Sequence, residues 1–241
     1  MRAQTRHSLK EDRFSKATIN AAEMTVHWTV EHRKTLIAAG VALIVLIAAG
    51  LGVWYYLQKK DQEASVQLSK ALRTMETPIR PAGAPAQPDQ PSFASLKDRA
   101  TEARKHFQAV VDQYPHTRAS DFARYFVGVT ASDLGDNSAA EKNLKEVASV
   151  HNADLAALGK FALASVYRKM NRDKDAIDLY KQLIDKPTTS VPKSAAQMEL
   201  ASFYREKQQT QEAKRIYEQV QKENPNTEIA QLAQQKIGEL K

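Results

Sequence analysis

Hydrophobic and polar positions follow two different patterns along this chain. From Leu36 to Leu57, 22 consecutive residues carry no charge, and no polar face interrupts them. At about 1.5 Å rise per residue, a helix of that length crosses the roughly 30 Å hydrocarbon core of a bilayer. Trp54, Tyr55 and Tyr56 then stand where an interfacial aromatic belt belongs, and Lys59 and Lys60 follow, able to reach the headgroups. A secretory signal has a shorter apolar core of about 7 to 15 residues behind a short leader. The pattern therefore predicts an uncleaved anchor over residues 35–57, although Ala48-Ala49-Gly50 leaves cleavage open.

After residue 60 the apolar positions return at helical spacing. "DQEASVQLSKALRTME" places Ala64, Leu68, Ala71, Leu72 and Met75 on one face and predicts a helix over 61–76. "TPIRPAGAPAQPDQP", residues 77–91, holds five of the nine prolines and predicts an extended loop. Beyond it the chain repeats itself. Aligning "EARKHFQAVVDQYPHT", "AAEKNLKEVASVHNAD", "DAIDLYKQLIDKPTTS" and "EAKRIYEQVQKENPNT" on Ala103, Ala140, Ala176 and Ala213 gives periods of 37, 36 and 37 residues. Four residues after each Ala stands Phe107, Leu144, Tyr180 or Tyr217, and three further on Val110, Val147, Leu183 or Val220. Gly128, Ala164 and Ala201 lie twelve before their Ala, with Tyr167 and Tyr204 nine before. Small residues let two helices approach, and large ones fill the next gap. Pro115, Pro187 and Pro225 close their units, and Ser138 with Glu141 has capping-box spacing.

This period and these relative places resemble the tetratricopeptide repeat, a helix-turn-helix unit of about 34 residues. The resemblance implies an all-α fold: a single transmembrane helix followed by a tetratricopeptide α-solenoid over 92–241, closed by a helix over 228–241. It also implies that the helix around "ASVQLSKALRTM" leads the first unit and that the Pro-rich loop is an insertion after it.

Charge places the excess away from the repeats. Residues 1–60 carry 9 basic against 4 acidic residues, and residues 61–241 carry 26 against 24, so most of the net +7 belongs to the membrane flank. A nearly neutral domain offers no footprint for a phosphate backbone, which excludes nucleic acid as the expected partner. Cysteine is absent, so there is no disulfide framework, thiolate metal site or lipidated N-terminal Cys. The six His (7, 27, 32, 106, 116 and 151) show no metal-ligand spacing, and no phosphate loop or nucleophile elbow occurs. No catalytic residue, metal or cofactor is expected. The tail of residues 1–34 is short and basic, so the expected orientation is tail in the cytosol and repeat domain across the membrane. Phe14 and Trp28 in that tail are candidates for docking a cytosolic partner.

In tetratricopeptide arrays, ligands usually meet the concave face, lined by the first helix of each unit. The resemblance carries that role to Phe122, Tyr125, Val129 and Ser132, to Leu158, Phe161, Ser165 and Arg168, and to Ala195, Met198, Ser202 and Arg205. The Lys and Asn pairs of a carboxylate clamp are missing. Tyr125, Phe161 and Met198 share one position, and the expected surface is an apolar stripe edged by Arg168 and Arg205, suited to exposed hydrophobic segments. The alternative is that these side chains pack against neighbouring helices.

The layout as a whole, from "HWTVEHRKTLIAAG" through "GVWYYLQKKDQEAS" to the repeats, resembles the YfgM-like ancillary subunits of the bacterial SecYEG translocon. That resemblance implies an inner-membrane protein with a periplasmic repeat domain. Its implied partners are the translocon, periplasmic chaperones and unfolded client chains. The Pro-rich insertion and the "YPHT" turn are closer to envelope tetratricopeptide lipoproteins, so a scaffold for envelope assembly, division or secretion is the second expectation.

Overall fold

The computed structural model describes residues 32–81, 83–85 and 89–240. The tail up to position 31, including Phe14 and Trp28, therefore lies outside the described residues. Nine helices are described: α1 (Arg33–Glu76), α2 (Leu96–Gln113), α3 (Arg118–Asp133), α4 (Asn137–Val147), α5 (Ala153–Lys169), α6 (Asp173–Asp185), α7 (Lys193–Glu206), α8 (Thr210–Glu223) and α9 (Glu228–Gly238). The chain divides into two units, residues 1–58 and 59–241.

In the first unit the described chain is helical from Arg33 onward. Its apolar side chains are exposed, Leu46 and Tyr55 by more than two thirds. Among the described residues, α1 is the one helix long and apolar enough to cross a membrane. Every backbone group of such a segment is satisfied within the helix, the condition for a single strand of chain to sit in hydrocarbon.

The second unit is an all-helical solenoid. The C-terminal part of α1 pairs with α2, then α3 with α4, α5 with α6 and α7 with α8, and α9 covers the end. The aligned residues form its core. Ala103, Ala140, Ala176 and Ala213 are fully buried, and so are Phe107, Leu144 and Tyr180, with Tyr217 at 1 % exposure. Val110, Val147, Leu183 and Val220 lie behind them. Two close approaches explain the small residues opposite. A methyl group on Gly128 would come within 2.6 Å of Leu144 Cγ, and one on Gly159 within 2.9 Å of the Ala148 backbone nitrogen.

Helix ends follow local chemistry. Ser95, Thr117, Asn152 and Thr227 cap α2, α3, α5 and α9, each accepting a hydrogen bond from the N–H three residues on. For α4 the capping box expected at Ser138 and Glu141 does not form. The cap is Asp136, whose carboxylate accepts from Ala139 N–H, and Glu141 turns instead to Lys145 and Arg172. Tyr114, Lys186 and Asn224 end α2, α6 and α8 in non-helical conformation, because each precedes a proline whose ring disfavours the helical region for its neighbour.

The corner between the two helices of a unit repeats as well. Gly135, Asn171 and Gln208 take up left-handed backbone with φ of 81°, 56° and 60°. In each case the next N–H returns to the carbonyl five residues back, at 2.8 to 2.9 Å. In the first unit the residues after Glu76 replace this corner. Arg80 N–H donates to Phe93 O and Phe93 N–H to Pro78 O, both at 3.0 Å, while the Arg99 guanidinium reaches Thr77 O at 3.2 Å.

Candidate protein-binding surface

The first helix of each unit positions the candidate residues. Ala71, Gly128, Ala164 and Ala201 each lie five residues before the end of their helix and are fully buried or nearly so. One turn back from this shared anchor stand Tyr125, Phe161 and Met198, and also Leu68 of α1. Tyr125, Phe161 and Met198 are half-buried and pack on the rim of the same core cluster. Leu68, with Leu72 and Met75, packs on the cluster around Phe107.

The face is therefore shallow rather than open. Phe122 is exposed, at 39 %, whereas Tyr125, Val129, Leu158, Phe161, Arg168, Met198 and Arg205 are half-buried. Phe161 meets Tyr180 edge-on with centroids 6.1 Å apart, and it also joins Leu158 and Ile184 against a smaller cluster that includes Val191 and Ala196. Burial raises the Tyr125 hydroxyl above the ordinary tyrosine value. The aromatic members of the stripe thus serve the packing between helices while presenting an edge outward.

Arg168 and Arg205 are engaged within the solenoid. Arg168 donates to Glu199 at 2.8 Å and to Glu206 at 2.6 Å, both on α7, and lies over the Phe203 ring. Arg205 reaches Glu239 at 3.0 Å. Lys169 closes the preceding seam through the Ser132 hydroxyl at 2.7 Å. Polar bonds thus link successive first helices along one edge. A comparable series links the second helices to one another and to the corner after α7, through Arg104–Asp136, Arg172–Glu141 and Lys207–Asp173. Among the described residues no three His, Asp or Glu side chains gather as a metal site.

Comparison with known proteins agrees with this geometry. A family model described as a tetratricopeptide repeat-like domain matches residues 26–185, more than half of the chain. The chain belongs to the tetratricopeptide repeat-like family. A second model, described as a tetratricopeptide repeat, matches residues 195–227, which span α7 and α8. No curated protein matches the sequence. Among solved structures, nearly identical TPR-like repeats from a Podosopora anserina protein described as a candidate kinesin light chain superpose with a TM-score of 0.55 at 16 % identity. The match covers 75 % of this chain and 86 % of that one. A singly substituted form of the same repeats gives the same TM-score and identity, over 75 % and 85 %. At that identity the likeness is one of fold. Tetratricopeptide arrays bind protein partners and typically act as scaffolds, so this chain is a protein-interaction module.

The positions of Leu68, Leu72 and Met75 as first-unit members of the stripe are not visible from the sequence alignment alone. Its offset of twelve residues between small residue and Ala is broken there by the insertion. The signal that does find them is the distance to the helix end, which the insertion leaves intact.

Proposed function

We propose that this tetratricopeptide protein is a single-span, membrane-anchored adaptor that receives exposed apolar segments of other proteins on its concave face. One observation carries the reading: the family match begins at residue 26 and runs through the exposed apolar helix into the repeats. That continuous span supports reading the apolar helix and the repeats as one layout. Each Leu, Ile or Val in such a helix favours insertion by about 0.3 to 0.6 kcal/mol, so a segment rich in them is suited to anchoring. The basic tail favours a cytosolic N-terminus and a repeat domain on the other side, which in a bacterium is the periplasm.

In the finer form of this reading, the protein is an ancillary subunit of a SecYEG-type translocon that passes emerging chains to periplasmic chaperones, and it catalyses no reaction. The stripe from Leu68 through Tyr125 and Phe161 to Met198 supports it, because apolar and aromatic edges without a carboxylate clamp suit unfolded segments better than charged tails. The test is photo-crosslinking in native membranes, with the probe once at exposed Phe122 and once beside the span at Leu57. Translocon components at Leu57 together with nascent chains at Phe122 are the expected result. Envelope-assembly partners at both positions, without translocon, would replace this reading by that of an assembly scaffold.

A further inference from the structure

The polar edge that links successive first helices has one gap. Lys169 bonds Ser132, Arg168 bonds Glu206 and Arg205 bonds Glu239. Ser132, Arg168 and Arg205 each stand four residues after the small anchor of their helix, and in the first unit that place is held by Met75, which has no polar group to offer. Here the seam opens into a cavity of about 550 Å³, lined among others by Met75, Leu96, Ala100 and Leu134. The volume lies in the range of sites that hold small ligands or side-chain clusters, about 300 to 1,000 Å³. Leu96 on its wall is 65 % exposed, an apolar side chain in the first turn of α2 without a covering partner among the described residues.

The charge around this apolar floor is one-sided. Lys97, Arg99 and Lys169 line the cavity against a single carboxylate, Asp133. Arg99 and Lys169 are held in place by bonds to Thr77 O and to Ser132, so their charges are positioned rather than free to swing away. Lys97 has no ion pair among the described residues. The N-terminus of α2 adds its partial positive charge to the same wall. Of the lining residues only Met75 also belongs to the concave stripe; Leu96, Ala100, Leu134 and the three cations lie outside it.

We infer that this cavity is a second docking site, which takes an acidic peptide segment of a partner protein with one or two large apolar side chains. The apolar side chain enters between Met75, Leu96 and Leu134, and flanking Asp or Glu residues meet Lys97, Arg99 and Lys169. Charge complementarity chooses the partner: a basic or neutral segment would gain the apolar contact but not the electrostatic attraction. The site is independent of the concave reading, and the two are separable by substitution.

The experiment is fluorescence anisotropy on the full chain in detergent micelles, with labelled Asp-Asp-Leu-Phe-Asp-Asp as probe and Asn-Asn-Leu-Phe-Asn-Asn as its neutral counterpart. The acidic probe is expected to bind at least roughly tenfold more tightly than the neutral one, and to weaken as salt rises. Lys97→Glu with Lys169→Glu is expected to abolish that preference, and Leu96→Ser to weaken binding of both probes. Leu96 is exposed, so its substitution leaves the fold intact, which far-UV circular dichroism checks. Phe122→Ser with Leu158→Ser on the concave face is expected to leave probe binding unchanged. Equal affinity for the two probes, or binding lost only with the concave substitutions, would overturn the proposal. So would a self-associating chain whose dimer, and not peptide binding, disappears with Leu96→Ser, since a second copy would then occupy the cavity.

Discussion

Arg168 on α5 and Glu206 on α7 meet at 2.6 Å across the seam between two repeats, and the same guanidinium holds Glu199. The Arg168 side chain is 16 % exposed while Arg205, in the next seam, is 35 % exposed. Solvent screens the second pair more than the first. Arg168→Met is therefore expected to destabilise the repeat domain by about 1 to 2 kcal/mol, and Arg205→Met by less than about 1 kcal/mol. Urea midpoints of the full chain in micelles, compared at equal slope, measure the difference.

The acid limb of stability is expected to depend on Glu223. Hydrogen bonds from Lys193 and Gln219, opposed by burial and helped by Gln197, hold its carboxyl down at about 2. A carboxyl depressed by folding stabilises above its unfolded value of about 4.5 and loses that contribution as pH falls toward about 2. Several other carboxylates are also depressed, so the informative quantity is a difference. Between those two values, wild-type stability should fall more steeply than that of Glu223→Gln, and the two curves should run parallel above pH 5 or so. Parallel curves throughout would remove Glu223 from the acid response.

Two glycines in first helices separate side-chain from backbone crowding. At Gly128 an added methyl meets Leu144 Cγ at 2.6 Å and Cδ2 at 2.8 Å, whereas at Gly159 it meets Val147 Cγ1 at 2.8 Å and Ala148 N at 2.9 Å. A side chain repacks more readily than a backbone. Overpacking of this kind costs about 1 to 3 kcal/mol, and Gly159→Ala is expected at the upper end, above Gly128→Ala. Melting temperatures of the two variants rank them.

At the corners the strain is expected to run the other way. Gln208 holds φ of 60°, where Gly135 holds 81° in the equivalent turn. A side chain in left-handed backbone costs about 1 to 2 kcal/mol, part of which glycine's greater freedom in the unfolded chain offsets. Gln208→Gly should raise the melting temperature and Gly135→Gln should lower it. Both substitutions leave the concave face untouched, so partner binding at 25 °C should not change with either.

The repeat architecture was legible because its signal is periodic and redundant. A misread position in one unit is corrected by the same position in three others, and the Ala, large-apolar and aliphatic series all lie in the core. Family membership followed from the same series. The surface chemistry was not legible to that degree, since it depends on pairs that cross units. Nothing near Arg168 in sequence announces Glu199 or Glu206, which lie 31 and 38 residues away, so an arginine expected at the ligand's edge is instead engaged by α7. Asp136 displaced Ser138 as the cap of α4 for a similar reason: the corner at Gly135 delivers Asp136 to the helix start, and that geometry is set by backbone rather than by side-chain spacing. The open seam at Met75 depended on the length of the insertion, which the alignment registers only as a break.

The left-handed corners at Gly135, Asn171 and Gln208 make the repeats that carry them cassettes. Glycine, asparagine and glutamine all accept the same turn, so what passes from one unit to the next is a backbone path with interchangeable side chains. A stretch cut between two such corners has ends that already match in direction and hydrogen bonding. Arrays built this way can gain or lose whole units by in-frame duplication or excision at the corners, with only the neighbouring seams to be rewritten. Length, and with it the reach of the binding face, is then a quantity evolution can adjust without inventing a new fold.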